Sequence, residues 1–65
     1  MIVEPWEQNA ADHLMHENHL DPLTWHYTIK GRMADEKGWI LVFKTRGVIP
    51  HVKALPITDA EIAAL

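Results

Sequence analysis

The stretch Leu23-Thr24-Trp25-His26-Tyr27-Thr28-Ile29-Lys30 decides the fold of this chain. Leu23, Trp25, Tyr27 and Ile29 alternate without a break with Thr24, His26, Thr28 and Lys30. Successive side chains of a strand point to opposite faces, so this period of two reads as a strand buried on one side. The alternation runs on through Gly31 to Met33. Ala34-Asp35-Glu36-Lys37-Gly38 then has the composition of a tight hairpin connection, with Gly38 assigned its positive-φ position. Beyond it, Trp39, Leu41 and Phe43 alternate with Ile40, Val42, Lys44 and Arg46, a second strand antiparallel to the first.

Working outward, Gly47 turns the chain again and Val48–Ala54 is a candidate third strand. Pro50 has no backbone donor, so that segment is an edge strand or a broken one. Upstream, Pro5 suits the first position of a helix. Trp6, Ala10 and Leu14, with Ala11 and Met15 beside them, form an apolar stripe over residues 5–18. Asn18 and Asp21-Pro22 are stop signals. Downstream, Thr58 and Glu61 have the spacing of a capping box, and Ile57 and Ile62 that of a hydrophobic staple around it. A helix of barely two turns is unstable alone, so the expectation is that it docks on the core or on another chain, or that the native chain runs on beyond Leu65.

The pattern predicts a small single α+β domain over residues 1–65, ordered α-β-β-(β)-α, with an antiparallel meander and helices on one face. The expected buried set is Trp6, Leu14, Trp25, Tyr27, Ile29, Trp39, Leu41, Phe43, Val52 and Ile62.

A chain of 65 residues buries only about 60% of the surface its unfolded form exposes. A stability of about 3–5 kcal/mol is then the reasonable ceiling for a monomer. With no cysteine, disulfides and thiolate zinc sites are excluded. The 48% hydrophobic content and three tryptophans favour a well-packed core instead. Met1-Ile2-Val3-Glu4-Pro5 lacks the basic and apolar regions of a signal peptide. No apolar run approaches the roughly 20 residues of a membrane span, so the expected setting is the cytoplasm with no membrane partner.

Charge is unevenly spread. Residues 1–22 hold five acids and no Lys or Arg. Residues 23–54 hold all six bases (Lys30, Arg32, Lys37, Lys44, Arg46, Lys53) against Asp35 and Glu36. The middle segment is therefore locally basic in a chain of net charge −3.

His13, His16, Glu17 and His19 are the one cluster with metal-ligand chemistry, since His13, His16 and Glu17 share a helix face. Without recognisable supporting partners, the cluster reads as a solvated helix face, and no metal or other cofactor is assigned. The chain has no Ser or Cys nucleophile and no glycine-rich phosphate loop. Asp35 and Glu36 adjoin each other at a water-exposed hairpin, where tuning their acidity is difficult. A non-enzymatic role is the expectation.

The better lead is the outer face of the sheet. If Trp25, Tyr27 and Ile29 face the helices, Lys30, Arg32, Ile40, Val42, Lys44 and Arg46 share the opposite side. An aliphatic centre with a basic rim suits docking on a larger protein, as in a regulator, inhibitor or adaptor of phage or bacterial accessory type. Nucleic acid is the competing partner, held by phosphate contacts from the basic 30–53 segment. The element order is similar to that of the double-stranded RNA-binding domain. Here, however, the last helix opens with Thr58-Asp59-Ala60-Glu61, whose acids repel phosphate, so no residue is carried over. Homodimerisation is a further expectation, by strand addition at Leu23–Met33 or through the final helix.

Overall fold

A computed structural model describes residues 3–65; Met1 and Ile2, part of the segment read for a signal peptide, lie outside the described residues. The first helix, α1, spans Pro5–Glu17. Pro5 has no N–H to leave unsatisfied, and Glu4 enters in the extended conformation. The Glu4 carboxylate accepts the Trp6 indole N–H at 2.6 Å instead of capping the backbone. The stripe behaves as its spacing requires: Ala10, Ala11, Leu14 and Met15 are all buried.

α1 ends in a Schellman closure. The Leu20 N–H donates to Met15 O at 2.8 Å and the His19 N–H to His16 O at 3.2 Å, satisfying carbonyls the helix leaves open. Leu20 and Met15 are both buried, the apolar contact that accompanies this motif. His19 takes the left-handed conformation at φ 55°, a position glycine usually fills. Asp21 then builds the next turn, accepting the Leu23 N–H on its side chain and the Trp25 N–H on its carbonyl. Leu23 and Thr24 are consumed by that turn, so the strand begins at Trp25 and Leu23 is exposed.

Three strands form one antiparallel meander: β1 (Trp25–Arg32), β2 (Gly38–Thr45) and β3 (Val52–Thr58), in the order β1-β2-β3. The register of β1 against β2 breaks once. Tyr27 lies opposite Phe43, but Ile29 lies opposite Val42, which leaves Thr28 as an extra residue. This is a β-bulge, and the Thr28 hydroxyl donates to Val42 O at 2.9 Å within it. Because side chains alternate every residue, one extra residue inverts the facing of everything after it. Trp25 and Tyr27 face the helices as expected. Ile29 does not: it turns outward at 61% exposure, while Lys30 and Arg32 turn in.

The β1–β2 hairpin is closed by Met33 N–H to Gly38 O and by Glu36 N–H to Met33 O, both at 3.0 Å. The positive-φ residue is Glu36 (φ 59°), and Gly38, to which the sequence reading assigned that role, is not. Gly38 is needed for a different reason. A Cβ there would lie 2.4 Å from the Ile57 carbonyl oxygen and 2.8 Å from Thr58 Cα, so β3 crosses too closely for any side chain.

The third strand also differs from its sequence assignment, starting at Val52 and running to Thr58. Val48 and Ile49 belong instead to an exposed loop, closed by Thr45 N–H to His51 O at 3.0 Å and His51 N–H to the Thr45 hydroxyl at 2.8 Å. Pro56 is tolerated inside β3 because β3 is an edge strand. Thr58 then caps α2 (Asp59–Ala63), its hydroxyl accepting the Glu61 N–H at 3.1 Å. The Glu61 carboxylate returns to that hydroxyl at 3.1 Å. Ile57 is fully buried and Ile62 packs half-buried against the core, consistent with the staple spacing.

The core lies between α1 and the inner face of the sheet. Its fully buried large side chains are Leu41, Phe43 and Ile57. Trp6, Trp25, Tyr27, Trp39 and Ile62 pack against it half-buried, as expected of them. Ile29 and Val52 are the two errors in the expected buried set, with Val52 at 56% exposure on the outer side of β3.

Candidate interaction face

The bulge sorts the functional candidates into two groups. On the helix side, Lys30 and Arg32 are already engaged. The Lys30 ammonium bonds Glu7, a residue of α1 that is only 5% exposed. It also stands 5.2 Å and 5.5 Å from the ring centres of Trp6 and Trp39, which contact each other at 5.4 Å. The second oxygen of Glu7 accepts the Tyr27 hydroxyl at 2.8 Å. Glu7 is therefore a buried carboxylate with a partner on each oxygen, the condition under which burial of a charge is tolerated.

These contacts set its chemistry. The bond from Lys30 holds the Glu7 carboxyl below its ordinary acidity range against the opposing effect of burial, and the Tyr27 bond adds to it. Tyr27 is displaced upward, first by burial and then by the carboxylate it serves. Arg32 makes a two-pronged pair with Asp59 at 2.9 and 3.0 Å and lies 4.9 Å from the Trp39 ring centre. Arg32 lowers the Asp59 acidity range through that bond and is itself shifted upward by it. Lys30 and Arg32 thus hold the helices to the sheet; their placement on the outer face is corrected by the register break.

The outer face keeps Ile40, Val42 and Lys44 from the expected set, since β2 has no bulge. In place of two cations it gains apolar residues that sequence reasoning did not place there. Ile29 sits across from Val42, and Pro56, Ala54 and Val52 stand opposite Ile40, Val42 and Lys44 on β3. No described element covers this side. Ile29, Ile40 and Val52 are 61%, 37% and 56% exposed, a run of apolar surface across three strands. At one end Lys44 stands opposite His26, whereas Arg46, just beyond β2 with its N–H donating to Thr24 O at 3.0 Å, lines a cleft with Gln8, Ala11, Asp12 and Met15 of α1 and is not brought onto this face. Lys44 and Arg46 are exposed and, among the described residues, have no carboxylate within salt-bridge distance.

The histidine cluster is dispersed by the way α1 ends. His13 is half-buried, while His16, Glu17 and His19 are exposed and His19 lies past the helix. Among the described residues no three histidines or carboxylates converge as metal ligands. Asp12, Met15, His16, His19, Leu20 and Pro22 line a shallow cleft of about 340 Å³ at this corner. Among the described residues, no helix is long and apolar enough to cross a membrane.

Fold and site together define a three-stranded meander with helices on one side and, among the described residues, no element on the other. No protein-family profile matches the chain, and neither curated proteins nor solved structures give a significant match.

Proposed function

We propose that this chain is a small, non-enzymatic protein-interaction module of the cytosol, a regulator, inhibitor or adaptor, that docks on another protein through the outer face of its sheet. The observation that carries this reading is the uncovered apolar surface of Ile29, Ile40, Val42, Val52, Ala54 and Pro56 beside Lys44. An apolar centre beside a polar rim is the composition of a docking patch, and water contact with such a surface is unfavourable until a partner covers it. The nucleic-acid alternative draws less support, because the 30–53 bases do not share a face. Lys30 and Arg32 are committed to Glu7 and Asp59, and Lys53 lies 5.8 Å from the Trp25 ring centre on the helix side.

The test is site-specific photocrosslinking in the native source, with a benzoylphenylalanine at Ala54 on the outer face or at Asn9 on exposed α1. The module reading expects discrete protein adducts from position 54 that survive nuclease treatment and vanish when Ile29→Glu is added. Equal adducts from both positions, or adducts lost with nuclease, would overturn it.

A further inference from the structure

A cleft separate from the outer face opens between α1 and the start of β1. Its volume is about 290 Å³, and its apolar lining includes Ala11, Met15, Trp25 and Tyr27. Ala11 and Met15 are buried, whereas Trp25 and Tyr27 pack half-buried against the core and show part of their rings to the cleft. The Tyr27 hydroxyl is already bonded to Glu7, so this residue offers the cleft its ring alone.

Gln8, Asp12 and Arg46 line the same cleft and are exposed. Gln8 Nε2 donates to Asp12 Oδ1 at 2.9 Å, which gives that carboxylate a partner on α1. Arg46 has no carboxylate within salt-bridge distance among the described residues. Neither has Lys53, whose ammonium stands 5.8 Å from the Trp25 ring centre. Around Trp25, two cations thus face one carboxylate. A guanidinium presents a planar fork of donors that a carboxylate matches with two bonds. An apolar cleft with a few convergent polar groups is the common form of a small-molecule site. The single net positive charge favours a monoanion, since Asp12 would repel the second charge of a phosphate.

We propose that this cleft binds a small aromatic monocarboxylate, its ring against Trp25, Ala11 and Met15 and its carboxylate on Arg46. Volume sets the size of the ligand. About 290 Å³ lies at the foot of the roughly 300–1,000 Å³ range of ligand clefts, room for one ring and a short acid arm. The site is independent of the docking face, because Lys44 and Ile40 stand on the other side of the sheet. A ligand here touches α1 and the start of β1 together, so binding also stabilises the fold by mass action.

The experiment is a nitrogen–proton correlation NMR titration of the full chain with hydrocinnamate, phenethylamine and phenethyl alcohol. The acid alone gives saturable shifts, largest at the Trp25 indole N–H and the Ala11 and Met15 amides, while the Trp6 and Trp39 indoles stay still. Arg46→Gln weakens the acid at least about tenfold, the lower end of what a bond to a charged group contributes. Lys44→Gln makes the same charge change on the opposite face and leaves the Kd within about twofold. Both positions are exposed, and the spectra themselves show that each variant is folded. Shifts that fail to saturate by about 10 mM, equal binding of the amine or the alcohol, or equal losses in the two variants overturn the site. The cleft adjoins the one at His19 and Leu20, with which it shares Met15 and Pro22, so a tetrapeptide ending in a free phenylalanine carboxylate is titrated beside the acid. A peptide that binds more than about tenfold tighter than hydrocinnamate makes the cleft a reader of chain ends and sinks the small-acid assignment. The crosslinks from position 54 are untouched by any of these outcomes.

Discussion

Replacing Glu7 by Gln removes one negative charge from the interior and leaves the shape intact. In the wild type the carboxylate accepts one charge-assisted bond from Lys30 and a second bond from Tyr27. A hydrogen bond to a charged group contributes about 1.5–3 kcal/mol, and breaking a buried ion pair can cost more. Lys30, however, has 31% of its side chain exposed and recovers part of its hydration when its partner is neutralised. The expected loss is therefore about 2 kcal/mol, from the middle of the hydrogen-bond range. For a domain of this size that lowers Tm by roughly 8–16 °C. The acidity of Glu7 is shifted downward in the folded state. Its contribution is then fully present above the unfolded-state value of about 4.3 and disappears as pH falls through the lower folded-state value. Urea unfolding across that interval would show the wild-type and Glu7→Gln stabilities well apart near neutrality and converging in acid. A variant that melts within a degree or two of wild type at neutral pH, or curves that stay parallel into acid, would refute the placing of this network at the helix–sheet junction.

Two further substitutions probe backbone geometry. Gly38→Ala pushes a methyl into the Ile57 carbonyl and Thr58 Cα, both backbone and unable to swing away, and should cost about 3 kcal/mol, the upper end for overpacking. The check is a lower denaturation midpoint at constant m; unchanged stability would mean that β3 does not cross so closely. His19→Gly relieves a left-handed residue on the exposed end of α1 and should raise stability by about 0.5–1 kcal/mol, once the greater chain entropy of glycine is deducted. A midpoint that fails to rise would show that the His19 side chain supplies a compensating contact.

Much of the architecture was readable in the residues because it rests on local rules. Alternation in Trp39–Lys44 depends only on strand geometry, and β2 places Trp39, Leu41 and Phe43 inward as that rule demands. The stripe of α1 and the Thr58 cap are likewise short-range, and both are realised. The candidate surface was legible only in its β2 part, Ile40, Val42 and Lys44. Glu7 carried no signal of burial, because an acid in the first turn of a helix is favoured there on dipole grounds alone. Its burial depends on Tyr27 and Lys30, which lie 20 and 23 residues away.

By itself the sequence determined the order of elements, the antiparallel pairing and the sidedness of β2, since hydrophobic period, turn chemistry and capping act within a few residues. Tertiary structure alone decided the bulge at Thr28, where the register with β2 and the bond to Val42 O set how many residues β1 spends on a fixed length of partner strand. An inserted residue leaves the alternation of the sequence unbroken while reversing its direction in space. That single count moved Lys30 and Arg32 into the helix–sheet junction and Ile29 onto the open face. The same dependence on pairing placed β3, whose start was fixed by where Thr45 meets His51 and whose end by the closeness of Gly38 to Ile57 and Thr58.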